Sequence, residues 1–481
     1  MHRLRLPLVL AVAALVAPIA GAQSPPAPFS YEVVYPGPTS DHFCSMAFAP
    51  DGRLFLADRT SGAIKYLKDG VLSSTWATIP KTGVLSSEQG LLGIAIDPNF
   101  LINGYVYVYY TRTATITENV VARLQELGGV GTGLTVISPV GGIPSTTIHN
   151  GGRLVFGVDG KLYVGVGDRS VSSTAQDKTV LNGKILRMNT DGTAPADNPF
   201  ATDATFHPLV WTYGHRNQYG LTVNPISGDI FQTENGLNTR DEINHIVKGG
   251  NYGWPIYEGT EPVPDPTTVD PLATYAPTPD PTGTCFYRGN NYPAGFENNW
   301  FFIKYSSNLL QRVQLDPTQT FITTQSQFDD LPGSGFDVLS GPDGNLWYLT
   351  NDGAATRGGN EVGRYISSTA PNPAANITPV SNQIIGGSLT FGFNGTNGDT
   401  VFSWVSVTKL GAPLSTPFGD FWVPADLMLP SVTIVGDNRQ YLGAVVPSLA
   451  ALSGITIYMQ AADVPLAAPI KLTNPAQITL N

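Results

Sequence analysis

Hydrophobic and polar positions in the first 365 residues alternate in short bursts, without a helical period. One unit recurs: an apolar strand, a turn built on Pro, Asp, Asn or Gly, then a second alternating apolar strand. It reads Phe48-Ala-Pro-Asp-Gly-Arg-Leu-Phe-Leu-Ala-Asp58, then Ile96-Asp-Pro-Asn-Phe100 running on through Tyr105–Tyr110. Further copies are Phe156-Gly-Val-Asp-Gly-Lys-Leu-Tyr-Val-Gly-Val166, Val223–Gln232, a degenerate Phe296–Ile303, and Ser340-Gly-Pro-Asp-Gly-Asn-Leu-Trp-Tyr-Leu-Thr350. Strict alternation puts successive side chains on opposite faces of a strand, and Gly after Asp supplies the positive φ of a tight hairpin turn. A lone hairpin cannot bury both faces, whereas a closed ring of four-stranded blades can. The expectation is an all-β protein whose residues 30–366 form a six-bladed β-propeller.

The pattern changes after Tyr365. Residues 367–379 are rich in Pro and Ala with no hydrophobic period and read as a linker. From Val380 to Asn481, alternating runs such as Ser388–Phe393, Val401–Val407 and Ile455–Gln460 predict a small accessory β-sandwich domain. At the other end, Arg3 and Arg5, the apolar run Leu6–Ala20 and the small residues Ala20-Gly21-Ala22 form a signal-peptide pattern over residues 1–22. Cleavage is expected after Ala22, with export to the periplasm or beyond and no membrane span left in the mature chain.

Composition narrows the classes. The chain has 481 residues with 52 Gly and 39 Pro and only 13% charged residues, which excludes long helical bundles. Its 26 basic against 37 acidic residues give a net charge of −11, the wrong sign for gripping nucleic acid. Two cysteines, Cys44 and Cys285, permit a single disulfide in an exported protein, and no Cys/His spacing suggests zinc.

Three loop segments hold clustered polar groups. His149 precedes Gly151 and Gly152, which leave its ring unobstructed; imidazole titrates near neutrality and suits a general base. A loop histidine bonded to a nearby carbonyl is the plainer alternative. Arg216 and Asn217 offer fixed donors for a carboxylate or quinone oxygen, or equally a link between blades. Glu234, Asp241 and Glu242 place three carboxylates within nine positions, with Gly236 exposing backbone carbonyls. That is an oxygen-rich set of the kind Ca²⁺ takes, or else a solvated acidic loop.

The segments Glu88-Gln-Gly-Leu-Leu-Gly-Ile-Ala-Ile-Asp-Pro-Asn-Phe100, His149–Phe156, Asn182–Met188, Gly214-His-Arg-Asn217 and Asp241–Pro255 resemble the glucose/sorbosone dehydrogenase family. The resemblance implies an exported six-bladed propeller that uses pyrroloquinoline quinone (PQQ) and Ca²⁺ to oxidise a small-molecule sugar or polyol. It implies that His149 takes the proton from the sugar hydroxyl while hydride passes to the quinone. It places Arg216 and Asn217 against the quinone, Arg216 stabilising charge on its oxygen, and puts Asn235 where the glucose enzymes carry a quinone-contacting glutamine. It implies one calcium on the carbonyls of Gly236 and Leu237, and a second, structural one on Glu242 and the Tyr252 carbonyl. The family's late cofactor-binding cations are replaced by Tyr305-Ser-Ser-Asn308 and Ser334-Gly-Phe-Asp-Val338, leaving Arg153, Lys304 and Arg357 as candidate substitutes. A propeller that binds carbohydrate or a protein partner without redox chemistry is the alternative reading.

Overall fold

The computed structural model describes residues 25–368 except residue numbers 140, 262, 264, 290, 294 and 352–359, together with the backbone of strands between 376 and 479. Six antiparallel sheets of four or five strands follow one another along residues 29–367, as the recurring hairpin unit requires. Each blade begins with its inner strand: Phe43–Phe48, Leu91–Ile96, Leu154–Phe156, Gln218–Val223, Pro281–Phe286 and Gly335–Ser340. Each repeated turn of the sequence joins an inner strand to the second strand of its blade. In the fifth blade that connection spans Phe286 to Trp300, and Phe296 lies inside it, which is why that copy reads as degenerate.

The ring closes with a strand from the start of the chain. Phe29–Pro36 pairs antiparallel with Glu361–Ser367 as the outermost strand of the sixth blade. Phe29 anchors it, with its ring 4.7–5.0 Å from those of Tyr292, Phe296 and Phe328. Apolar residues fill each gap between neighbouring blades. Phe55, Trp76 and Phe100 pack between the first and second, for example, and Phe231, Phe286 and Trp300 between the fourth and fifth. Such interleaving of large buried side chains supplies the burial that a single blade lacks.

Glycine is required where inner strands crowd together. A Cβ on Gly220 would lie 2.5 Å from the Thr282 carbonyl oxygen of the next inner strand. Inner strands of five blades also carry a β-bulge at their first residues: Phe43/Ser45, Leu91/Gly93, Gln218/Gly220, Pro281/Thr284 and Gly335/Asp337. Bulges re-aim side chains and recur beside functional sites. Here they all lie at the same end of the channel.

Cys44 and Cys285 are both free and buried, on the inner strands of the first and fifth blades, so the permitted disulfide does not form. The signal-peptide segment lies outside the described residues. Between Asn376 and Thr479 the described strands pair antiparallel in three small sheets. One of them, Asn376–Pro379, falls inside the expected linker and pairs with Phe391–Asn394, its proline tolerated on an edge strand. No helix of the described residues is long and apolar enough to cross a membrane.

Candidate functional site

His149, Arg216, Asn217, Asn235, Gly236 and Leu237 all lie at the end of the ring where inner strands begin. His149 sits five residues before the third inner strand in a left-handed conformation, φ 57°. Its backbone N–H donates to Glu88 at 2.7 Å, which pins this uncommon geometry. Gly151 (φ 62°) must lack a side chain, because a Cβ there would meet the Gly165 carbonyl oxygen at 2.6 Å.

The ring Nδ1 of His149 lies 2.8 Å from Oδ1 of Asp168, a carboxylate only 1% exposed. Asp168 is itself fixed by the Ser170 N–H at 2.7 Å and by the Trp254 indole N–H at 2.9 Å. A carboxylate on Nδ1 orients an imidazole with Nε2 as its free nitrogen, the arrangement of an activated general base. Sequence reasoning missed Asp168, whose only signal is a Gly-Asp pair ending a strand, and singled out neither Glu88 nor Trp254, although both fall in the quoted segments.

Arg216 is 8% exposed, and its carbonyl accepts the Asp168 N–H at 2.7 Å. One guanidinium nitrogen donates to the Asn235 carbonyl at 2.9 Å, and the group lies 5.6 Å over the Trp254 ring. Its Nε is buried with no hydrogen-bond partner, as is the side-chain oxygen of Asn235. Asn217 serves the blade junction as well, its Oδ1 accepting the Gly151 N–H at 3.2 Å. The orphaned guanidinium N–H fits an anionic or carbonyl oxygen of a ligand such as a quinone, and the orphaned Asn235 oxygen fits a hydrogen-bond donor.

The loop after Asn235 is organised by Glu258, whose carboxylate accepts the N–H groups of Leu237 at 2.5 Å and of Asn238, Thr239 and Arg240 at 3.3–3.4 Å. With its N–H groups turned inward, the loop leaves the carbonyls of Gly236 and Leu237 without a partner among the described residues. Gly236 has no room for a side chain, a Cβ there falling 1.6 Å from the Arg240 carbonyl oxygen.

The three nearby carboxylates do not form one cluster. Asp241 accepts the N–H groups of Gly236 at 2.8 Å and Asp280 at 2.7 Å, and burial pushes it up to about 6. Glu234 and Glu242 instead face each other across paired strands, both buried. Glu234 is bonded to the fully buried His215 at 2.9 Å, to Gln232 and to the Arg216 N–H. Burial, and then the Glu234 charge, push Glu242 up to about 8. The side-chain oxygens of Gln232 and Asn244 beside this pair are buried without partners. No three His, Cys, Asp or Glu of the described residues converge as a metal cluster, so a cation here leans on amide and carbonyl oxygens. That donor set fits hard, oxygen-preferring Ca²⁺. Tyr252, whose ring stacks 4.6 Å from His215, lies within the field of both glutamates, and its carbonyl has no partner among the described residues.

The substitute cations fare differently. Arg153 is consumed: it crosses the channel to Asp337 at 2.5 Å and also meets Ser45 at 2.9 Å and the carbonyls of Phe336 and Tyr219. Lys304 lies 4.5 Å over the Tyr275 ring, and Arg357 is outside the described residues. Beyond the Arg153 strut, the channel holds a cavity of about 230 Å³ lined by all six inner strands and opening toward the repeated turns.

A family model described as glucose/sorbosone dehydrogenase matches residues 40–357. The aldose sugar dehydrogenase YliI of Escherichia coli (strain K12) is 29% identical over 333 residues, 65% of this chain and 88% of that protein. A solved putative oxidoreductase (glucose dehydrogenase) of Thermus thermophilus is 34% identical with a TM-score of 0.63, covering 70% of this chain and all of that one. The PQQ-bound aldose sugar dehydrogenase of Streptomyces coelicolor is 29% identical with a TM-score of 0.60, over 71% of this chain and 99% of that one. With about two thirds of its length matched by that family's model, on a six-bladed ring, the chain belongs to the glucose/sorbosone dehydrogenase family.

Proposed function

We propose that this protein is an exported oxidoreductase that uses PQQ and Ca²⁺ to oxidise an aldose or related polyol, with His149 as general base. The observation that carries the reading is the His149–Asp168 pair beside an under-partnered Arg216. Family membership and the PQQ-bound Streptomyces relative support it, and the N-terminal leader pattern supports export.

In this reading Asp168 accepts from Nδ1, so Nε2 takes the hydroxyl proton, and the imidazolium that forms is stabilised by the buried carboxylate. Arg216 and Asn217 fix the ligand laterally, and Arg216 holds positive charge where a quinone oxygen gains negative charge. Asn235 lines the same side. The quinone, once bound, supplies the two-electron acceptor, and calcium on the Gly236 and Leu237 carbonyls a Lewis acid that polarises it. A second calcium at Glu242 and the Tyr252 carbonyl would tie the third strand of the fourth blade to the loop that follows it.

One observation favours the alternative of a calcium-stabilised propeller that binds carbohydrate without redox chemistry: Arg153 is committed to Asp337. The two readings separate in one assay. The purified chain with PQQ and Ca²⁺ should reduce a dye in the presence of aldoses. His149→Ala should lower turnover about 10²–10⁴-fold with an unchanged melting temperature. Absence of PQQ binding and of turnover at saturating cofactor would leave the binding reading.

A further inference from the structure

Two arginines adjoin Asp168, Arg169 next to it in the chain and Arg216 through its carbonyl, which accepts the Asp168 N–H, and among the described residues neither guanidinium forms an ion pair. Arg216, 8% exposed, keeps its Nε unpartnered. Arg169 directly follows Asp168 in a left-handed conformation, φ 51°. Its N–H donates to the His149 carbonyl at 3.0 Å and its own carbonyl accepts the Thr146 hydroxyl at 2.8 Å, so the residue is fixed beside the base. Its Nε is likewise out of solvent with no partner.

The surrounding acids are already committed. Asp168 serves His149, Ser170 and Trp254. Glu88 takes the His149 N–H, and Glu234 holds His215, Gln232 and the Arg216 N–H. Three other arginines do close on acids: the buried Arg153 on Asp337, the buried Arg187 on Asp159 and Asp197, and the partly buried Arg364 on Asp343. Withdrawing guanidinium nitrogens from water without a partner is costly, and the planar fork pairs best with a carboxylate. A cation left without an acid partner beside the base therefore points to an anion that arrives with the ligand.

We propose that Arg169 binds a carboxylate of the ligand held over His149, in concert with Arg216. This rests on the oxidoreductase reading of the same site. Two ligands could bring that carboxylate: the tricarboxylate cofactor, or an acidic sugar such as a uronate.

The test is Arg169→Gln in the full chain, with Arg169→Lys as the charge-keeping control. PQQ binding in Ca²⁺ is followed by absorbance, and KM is measured for glucuronate and for glucose at saturating PQQ. A tenfold or greater rise in the PQQ dissociation constant, partly restored by Lys, assigns the carboxylate to the cofactor. An unchanged PQQ constant with a tenfold rise in KM for glucuronate alone assigns it to the substrate. Values all within twofold of the native chain overturn the proposal. If the native chain binds no PQQ, the oxidoreductase reading fails on its own, and calorimetry with glucuronate decides. Binding lost in the Gln variant sustains the role of Arg169, whereas equal binding, or none to the native chain, ends it. Should the Gln variant not fold, phenylglyoxal modification of the native chain with peptide mapping replaces it. PQQ or glucuronate should slow labelling of Arg169 about tenfold, and unchanged labelling overturns the proposal.

Discussion

Asp168 decides what His149 can do. An amide in its place keeps the shape but offers N–H where Nδ1–H must donate, favouring the wrong tautomer. Asp168→Asn is expected to cut turnover about 10²–10⁴-fold, and combining it with His149→Ala should add little, because the two act as one unit. Steady-state kinetics of the single and double variants check both statements. His149, Arg216 and Asn217 were legible in the sequence because each sits in a short polar run beside glycines. Their partners were not. Asp168 lies 19 residues from His149 and is brought to it by the first hairpin of the third blade, whereas Glu88, 61 residues away, reaches it from the neighbouring second blade. The bland alternative for Asn217 was half right, since its side chain does bridge blades.

At the level of strands, the repeated turns announced six inner hairpins, and the structure places a blade on each. What alternation could not convey is the bulge that five inner strands share, because a bulge changes pairing register without changing the apolar pattern. Nor could it reveal the strut between opposite inner strands, where Arg153 of the third blade and Asp337 of the sixth meet with side chains 8% and 3% exposed. Removing one partner strands the other charge: Arg153→Met should cost about 3–5 kcal/mol of stability. The double change Arg153→Met with Asp337→Leu should recover most of it. Urea denaturation of the three proteins measures the difference, and an Arg153→Met variant as stable as the native chain would show the strut to be idle.

For the molecule as a whole, a calcium ion bound as proposed at Glu242 would couple cation, proton and fold. Burial and the neighbouring Glu234 raise Glu242 from 4.5 to about 8 in the cation-free fold. Between those values the folded chain holds a proton that the unfolded chain has released, so stability falls as pH rises through this window. A divalent cation reverses the slope by favouring the ionised form. Calcium should therefore raise the melting temperature more at pH 8 than at pH 5. At 100 times its dissociation constant it contributes about 2.7 kcal/mol. Glu242→Gln should flatten both trends in thermal melts run with calcium and with chelator. The sequence located these carboxylates, but it grouped Asp241 with them, and only the strand pairing separates the three.

The closing strand gives the ring a seam. Pro28 and Ser368, 340 residues apart, are hydrogen-bonded at 3.0 Å, and joining segments so distant forfeits about 5 kcal/mol of chain entropy. Five blades can assemble from neighbouring hairpins, but the sixth must wait for the other end of the chain. The strand Phe29–Pro36, made well before its partner Glu361–Ser367, is thus among the last to find its place. Until it does, one sheet edge and the aromatic box awaiting Phe29 stand open, the stretch at which the folding chain most needs protection from its neighbours.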